Sequence, residues 1–240
     1  MIDLQTLTIS YGKKVLVDSV NAEFAPGTVY GLVAPNGHGK TTLLRAMAGL
    51  PGPRVDGSIV LDEVQGTGAR EVRSMIFYAP GEGTLLYPGL RAEDHLKMVC
   101  DMWPHARDIE EIVEFTKMRI RTLSQGMKQQ LTLAIAYATG ARYLLLDEPM
   151  NALDPSRVDL HSEILRKLAD SGTCIIMSSH ILDSVDRLCD EILFLKDGRL
   201  IRSIPQDDAA PKSPGSHFAK PAGRAEGALS TYRRLYEKGG

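Results

Sequence analysis

The stretch VYGLVAPNGHGKTTLLRAMAGL, residues 29–50, decides the fold because it joins an apolar run, a glycine loop and a helix-like segment. VYGLVA is typical of a buried strand, and TTLLRAMAGL carries helix formers with apolar residues at helical spacing. Between them, APNGHGKTT at 34–42 nearly fits the loop G-x-x-x-x-G-K-[ST], although Ala34 replaces its first glycine. Strand, loop and helix in this order are the context that a phosphate-binding loop requires.

The later positions of this loop carry most of its chemistry. Gly37 and Gly39 let the backbone curl, Lys40 can reach the outer phosphates, and the Thr41 hydroxyl can ligate Mg²⁺. The first position only begins the turn, so we expect Ala34 to serve if its φ is negative. A glycine-rich turn without a ligand is the alternative, which this imperfect motif alone does not exclude.

A second segment, YLLLDEP at 143–149, predicts a fully buried strand that ends in two carboxylates. Asp147 can anchor Mg²⁺ while Glu148 accepts a proton from attacking water, provided that both side chains turn into the site where the strand ends. The alternative is an acidic turn at the edge of a sheet. A Gly-Lys-Thr loop upstream in an alternating α/β chain favours the nucleotide site.

The order of the remaining segments indicates an α/β fold. Strand-like and helix-like segments alternate, which predicts a mainly parallel sheet covered on both faces, and the early antiparallel strands form a side sheet. We expect helix from Leu90 to Met118 with a break at Pro104, and a hairpin around Asp197-Gly198. Residues 203–224 read as a Pro/Gly-rich linker. Apolar residues recur at helical spacing from Ala225 to Tyr236, which predicts a helix that folds back on its own domain or contacts a second copy.

Composition limits the possible classes of protein. The 240 residues suit one large domain, and a formal net charge of -2 offers no broad basic field for nucleic acid. Three cysteines without metal-like spacing indicate reduced thiols. No apolar run reaches the ~18 residues needed to span a bilayer, so work at a membrane would need another chain to span it.

Three further motifs resemble those of ABC ATPases. LSQGMKQQ at 123–130 is similar to their signature, NALDP at 151–155 to their D-loop, and SSH at 178–180 to their switch-histidine segment. The resemblance covers residues 1 to about 202 and is specific because the motifs occur in order. It implies a P-loop NTPase fold with a RecA-like parallel sheet core, an antiparallel β side sheet and a short inserted helical subdomain at about 83–138. Residues 203–240 would be a linker and a short C-terminal helix.

In the mechanism that the resemblance implies, two such domains pair head to tail and enclose two ATP molecules with Mg²⁺. Ser124 and Gly126 would reach the γ-phosphate on the opposite subunit. The residues assigned to nucleotide binding are Tyr11, Asn36, Gly37, His38, Gly39, Lys40, Thr41, Thr42, Ser124, Gly126 and Asp154. Those assigned to catalysis are Lys40, Glu148 and His180, and those assigned to Mg²⁺ are Thr41, Asp147 and Glu82.

Several of these residues also have ordinary structural interpretations. Ser124 suits a helix N-cap, His180 a strand-to-helix turn, and Tyr11 an aromatic side chain on a hairpin. His38 stands where the family usually has a small residue, and we interpret it as a spectator whose backbone N–H does the work. The family's Gln after Y-x-P is absent from FYAPGEGTLLYP. Glu82 could replace it as an oxygen ligand or be a solvated loop carboxylate.

The signature LSQGMKQ and the short helical part resemble exporter ATPases that are encoded apart from their permease, which handle antibiotics, peptides or lipids. The resemblance therefore implies an ATP-hydrolysing transporter subunit, peripheral on the cytoplasmic side of the cell membrane. Its partners would be an integral-membrane permease and a second ATPase domain, most simply in a homodimer, without nucleic acid. The alternatives are a soluble ABC ATPase that drives an assembly task and a monomeric P-loop kinase or GTPase, which the signature and D-loop disfavour.

Overall fold

A six-stranded sheet forms the centre of the molecule. The computed structural model describes residues 1–62, 64–65, 74–81, 84–103, 105–106, 113–203 and 227–237. Within them the strand order is β10-β9-β3-β8-β7-β6, and all neighbours are parallel except the hairpin of β9 and β10. The strands are β3 (Val29–Val33), β6 (Ile76–Ala79), β7 (Tyr143–Leu146), β8 (Cys174–Ser178), β9 (Glu191–Lys196) and β10 (Arg199–Ser203). The predicted parallel sheet and the predicted hairpin are confirmed.

A second sheet is antiparallel, as the sequence predicts, and its strand order is β2-β1-β4-β5. Its strands are β1 (Ile2–Tyr11), β2 (Lys14–Phe24), β4 (Arg54–Leu61) and β5 (Val64–Gln65). Leu4 and Leu7 of β1 are both fully buried although they are three residues apart. The register shifts between them, and Thr6 has a φ of 51°, so a bulge returns Leu7 to the inner face.

The central sheet separates two hydrophobic cores. Val29 and Val33 of β3 belong to the core on one face, whereas Tyr30 and Leu32 belong to the core on the other. Successive strand residues point to opposite faces, so burial of both faces explains why these strands are apolar throughout. The second core also contains the inner face of β1, which places the side sheet over the central one.

Six α-helices accompany the sheets within the described residues. They are α1 (Lys40–Met47), α2 (Ala92–Met102), α3 (Gln125–Ala138), α4 (Pro155–Asp170), α5 (Leu182–Leu188) and α6 (Ala228–Tyr232), which continues into a π-helical turn (Arg233–Glu237). Leu43, Leu44 and Met47 of α1 lie in the core shared with the side sheet. Leu131, Leu133 and Ile135 of α3 lie in the opposite core, so helices cover both faces of the central sheet.

The helical prediction for residues 90–118 is only partly correct. Helix α2 forms, but the described residues 113–118 contain turns instead of helix. The N–H groups of Ala92 and Glu93 at the start of α2 donate to the carbonyls of Met118 and Thr116, at 3.0 and 2.9 Å. The first N–H groups of a helix have no partner within the helix. The Thr116 and Met118 carbonyls accept hydrogen bonds from these N–H groups of α2, instead of from N–H groups of a helix of their own.

The C-terminal segment, which we define as residues 227–237, folds back on the core of the domain. Ala228 is buried in the same core as α5, and the Tyr236 hydroxyl donates to the Leu195 carbonyl of β9 at 2.8 Å. Leu229, expected on the apolar face, is 45% exposed because the buried face runs through Ala228 and Thr231 instead. Residues 204–226 lie outside the described residues. They include Ala225 and all of the expected linker (203–224) except Ser203.

No helix among the described residues has both the length and the apolar character needed to cross a membrane.

Candidate active site

The loop between β3 and α1 is curled by two glycines in the left-handed region. Gly37 has a φ of 80°, and Gly39 has a φ of 100° and forms the N-cap of α1. Both conformations favour glycine because they place a Cβ in steric conflict with the backbone. Ala34 does not have a positive φ, so its methyl group is accommodated without strain. The loop thus presents the N-terminal end of α1, the end of a helix that attracts anions.

Lys40, the first residue of α1, is only 7% exposed. Its Nζ donates to the Ala34 carbonyl at 2.7 Å and lies 3.7 Å from Glu148 Oε1. A buried ammonium group needs such partners because burial without them costs several kcal/mol. The Lys40 charge is therefore directed toward the loop and the carboxylate at the end of β7.

A cavity of about 450 Å³ opens beside this loop. Its first wall is the loop with the start of α1: Pro35, Asn36, Gly37, Gly39, Lys40, Thr41, Thr42 and Arg45. Its second wall comes from other elements: Leu16, Tyr78, Pro80, Gly81, Thr84, Asp147, Glu148 and Asn151. Of the loop residues assigned to nucleotide binding, all except His38 line this cavity, together with Asp147 and Glu148.

The end of β7 turns both carboxylates into the cavity. Successive strand residues point to opposite faces, but Glu148 lies just beyond β7 and has a φ of 48°. This left-handed residue redirects the chain, and its N–H donates to the Ser178 hydroxyl at 2.9 Å. The same hydroxyl donates to Asp147 Oδ1 at 2.5 Å, so Ser178 fixes both acidic residues.

His180 and Lys40 lie on either side of the Glu148 carboxylate. His180 Nδ1 is 2.8 Å from Glu148 Oε2, and the His180 backbone N–H donates to the same oxygen at 3.2 Å. Lys40 lies nearest the other oxygen, Oε1. The predicted catalytic residues Lys40, Glu148 and His180 are therefore in one cluster, formed by the start of α1 and by the segments that follow β7 and β8.

Asp147 is held by two hydroxyl groups, one on each carboxylate oxygen. Its second oxygen accepts a hydrogen bond from the Tyr78 hydroxyl at 3.3 Å, and burial together with the Asp147 charge raises the pKa of Tyr78. The donor set that Asp147 and Thr41 offer, one carboxylate and one hydroxyl, suits Mg²⁺, which binds few protein oxygens and takes the others from phosphates and water. Glu82, the third predicted ligand, lies outside the described residues.

Four predicted residues lie away from this cluster. Ser124 is the N-cap of α3 and accepts the Met127 N–H at 3.2 Å, and Asp154 is the N-cap of α4 and accepts the Arg157 N–H at 3.0 Å. None of these two residues, Gly126 and Tyr11 is among the described residues that line the cavity. The Tyr11 ring is 46% exposed.

Gly126 approaches the D-loop of its own chain. A Cβ built on Gly126 would be 2.7 Å from the Ala152 carbonyl oxygen, which is closer than side-chain carbons come in proteins. Ala152 itself has a φ of 62°. A second cavity of about 420 Å³ lies here, lined by Gln125, Gln129, Asn151 and Ala152. Asn151 borders both cavities, so the D-loop adjoins the start of α3 on one side and the phosphate-loop cavity on the other.

Sequence reasoning missed the residues that support the acidic pair. Tyr78 and Ser178 come from the ends of β6 and β8, the two strands beside β7, and both hydrogen-bond Asp147. The sequence did carry a signal for them, since both are polar residues at the carboxyl ends of predicted strands. In a parallel sheet these ends meet at one edge, where a site can form. Leu16, which also lines the cavity, carries no such signal in the sequence.

Comparison with known proteins agrees with this geometry. The family model described as ABC transporter matches residues 17–151. A lantibiotic transport ATP-binding protein of Streptococcus pyogenes is 34% identical over 210 residues, which cover 84% of this chain and 89% of that protein. A Nod factor export ATP-binding protein of Sinorhizobium fredii is 35% identical over 210 residues, covering 83% of this chain and 61% of that protein.

The fold also agrees with solved structures. A dimeric ATP-binding cassette, captured in a post-hydrolysis state with ADP and Pi, has a TM-score of 0.73 and 23% identity, covering 83% of this chain and 96% of that one. This likeness concerns the fold alone. The family match spans more than half of the sequence, and the relatives exceed 30% identity over most of it. The chain therefore belongs to the ABC transporter family, among its ATPase subunits.

Proposed function

We propose that this protein binds Mg²⁺–ATP at the cavity between the phosphate loop and the end of β7, and that Glu148 activates the attacking water. The observation that carries the proposal is the Glu148 carboxylate at this cavity, 2.8 Å from His180 and 3.7 Å from Lys40. One general base, one cation and one imidazole at the end of a phosphate-binding loop are suited to phosphoryl transfer to water.

The phosphates would lie over the N-terminus of α1. The loop from Asn36 to Thr42 would offer backbone N–H groups to them, and the Lys40 ammonium, which here donates to the Ala34 carbonyl, would turn to the phosphate oxygens. Thr41 and Asp147 would hold Mg²⁺, which neutralises phosphate charge when it is bound. Because Lys40 then moves away from Glu148, the carboxylate would be free to accept a proton from water.

His180 fits the role of a group that positions Glu148 and the terminal phosphate. Its ring and its backbone N–H both contact one oxygen of Glu148, which leaves the other oxygen for water. The His180 side chain is 54% exposed and contacts Glu148, so it would be accessible to a γ-phosphate bound beside that carboxylate. Oriented hydrogen bonds of this kind act without reorganisation during the reaction.

A second copy would complete the site. Ser124 is exposed at the start of α3 and lies outside the cavity of its own chain, so its helix end is available to a nucleotide bound elsewhere. A head-to-tail pair would bring Ser124 and Gly126 to the partner's γ-phosphate, with Asp154 and the D-loop at the shared boundary. Support comes from the solved cassette of the same fold, which is described as dimeric with ADP and Pi.

The transport role follows from the family and its named relatives. One relative is named for lantibiotic transport and another for Nod factor export, which favours an exporter of peptide-like or lipid-like substrates here. We assign the membrane-spanning part to a separate permease, with this subunit peripheral on the cytoplasmic face. Co-purification from native membranes with an integral-membrane protein, released only by detergent, supports this assignment. Recovery of the whole pool in the soluble fraction contradicts it.

Mixed dimers test the composite site. Pairing a Ser124→Arg chain with a Lys40→Ala chain places both lesions in one site and leaves the other site intact. Pairing a chain that carries both changes with an unchanged chain spoils both sites. We expect ATP-dependent dimerisation and residual hydrolysis only in the first arrangement. Equal ATP occupancy and equal rates in the two arrangements would exclude head-to-tail pairing.

A further inference from the structure

The C-terminal segment is fastened to the core at its beginning. The Ala228 N–H donates to both carboxylate oxygens of Asp186 in α5, each at 3.0 Å. Ala228 and Thr231 are 2% and 3% exposed. This end of the segment is therefore held by a charge-assisted hydrogen bond and by burial.

The other end of the segment reaches the strands that carry the phosphate loop. The Tyr236 hydroxyl donates to the Leu195 carbonyl of β9 at 2.8 Å and lies 3.5 Å from the Val33 carbonyl. Val33 is the last residue of β3, directly before Ala34 and the loop. The Lys196 ammonium also donates to the Leu235 carbonyl. Tyr236 thus lies at the base of the phosphate loop.

The Tyr236 ring also contacts the loop itself. Its centroid is 6.1 Å from that of His38, and the two rings meet edge to face at 78°. Edge-to-face contact is a favoured arrangement of two aromatic rings. The Tyr232 ring also packs against Tyr236, with centroids 4.7 Å apart. The His38 ring therefore lies against one member of an aromatic pair.

The position of His38 makes this contact consequential. It lies between Gly37 and Gly39, whose φ values are 80° and 100°. Glycine can adopt more backbone conformations than any other residue. A loop between two such glycines loses much entropy when it orders around a ligand. The ring contact adds a restraint at the residue between these two glycines. Restraint before binding lowers the cost of binding.

We propose that Tyr236 is a positioning residue for nucleotide binding, which acts through the His38 ring and holds the phosphate loop in its curled conformation. The inference rests on the proposed ATP site at this loop. It gives His38 a side-chain role in addition to its backbone N–H. By linkage, a segment that favours the ATP-binding loop must itself be stabilised on the core when ATP binds.

Titration calorimetry on the full chain with a non-hydrolysable ATP analogue and Mg²⁺ tests the first half of this inference. We expect Tyr236→Leu to raise Kd by roughly three- to thirtyfold, the range that coupling through packed side chains reaches. Tyr236→Phe should retain most of the affinity because its ring still meets His38. Leu229→Ala removes an exposed apolar side chain from the same segment and should bind as the wild type does.

A double-mutant cycle separates positioning from simple destabilisation. His38→Ala should weaken binding, and Tyr236→Leu should add little in that background, because the contact through which it acts is already lost. Additive effects of the two changes, or an unchanged Kd in a folded Tyr236→Leu protein, would overturn the inference. A wild type that fails to bind the analogue, or a Lys40→Ala variant that binds it normally, would instead refute the proposed ATP site.

Hydrogen exchange tests whether nucleotide binding in turn stabilises the C-terminal segment on the core. Amides of the C-terminal segment in the wild type should exchange more slowly when the ATP analogue is bound, and this added protection should be absent in His38→Ala at saturating analogue. A merely structural segment would exchange at the same rate with and without analogue in both proteins. That result would also overturn the inference.

Discussion

At the residue scale, Glu148 shows how the site is built. Its left-handed backbone is an uncommon conformation for a residue with a side chain, and such strain, of order 1–3 kcal/mol, concentrates at functional sites. The conformation is held by the Ser178 hydroxyl and by the two contacts of His180. The sequence predicted the acidic pair, but not the backbone turn, because the partners that hold it lie 30 and 32 residues away.

Lys40 provides the clearest prediction at this scale. Lys40→Ala should weaken ATP binding by about 10- to 100-fold, since a hydrogen bond to a charged group contributes about 1.5–3 kcal/mol. Calorimetry at fixed Mg²⁺ measures the effect. Lys167→Ala, which removes an exposed lysine from α4, is the matched control and should bind as the wild type does. An unchanged affinity in Lys40→Ala would mean that this loop does not bind the phosphates.

At the element scale, apolar runs and caps predicted most strands and helices correctly. Helix α4 begins at Asp154-Pro155 and ends before Gly172, because an acidic N-cap, a proline in the first turn and a C-terminal glycine agree. Residues 113–118 were wrongly predicted as helix because their carbonyls bind the start of α2, a tertiary contact that local sequence does not encode.

Burial of His161 was likewise not predictable, since it depends on the packing of α3 against α4.

The α3–α4 contact predicts a dependence of stability on pH. His161 of α4 is fully buried with Nδ1 3.1 Å from the Tyr137 hydroxyl of α3, and burial, with the nearby Arg157 charge, lowers the pKa of His161 to about 4 from 6.5. Between these values the unfolded chain binds more protons than the folded one. The stabilisation is therefore complete above pH 6.5 and is lost as pH falls toward 4, by about 3 kcal/mol.

Urea unfolding at several pH values measures this effect. The free energy of unfolding of the wild type should fall more steeply than that of His161→Gln between pH 6.5 and 4, because the amide does not titrate. His95, whose pKa burial also lowers, is present in both proteins and cancels in the difference. Between pH 7 and 8 the difference between the two proteins should stay constant. Parallel curves from pH 8 down to 4 would contradict the account.

At the scale of the whole molecule, the order of motifs gave the family, and the fold follows from it. The parallel sheet brings the ends of β3, β7 and β8 to one edge, so Lys40, Glu148 and His180 meet although they are far apart in sequence. The sequence could not predict that residues 227–237 would pack beneath the phosphate loop. That contact depends on the positions of the β3 and β9 carbonyls that receive Tyr236.

The central claim is that Glu148 is the general base of an ATPase site, and the most direct measurement compares ATP binding and hydrolysis in Glu148→Gln. The amide is nearly isosteric with the carboxylate but cannot accept the proton. We predict that the purified variant binds ATP as tightly as the wild type, dimerises with it, and hydrolyses it about 10²- to 10⁴-fold more slowly. Hydrolysis at the wild-type rate by a variant that binds ATP normally would contradict the account.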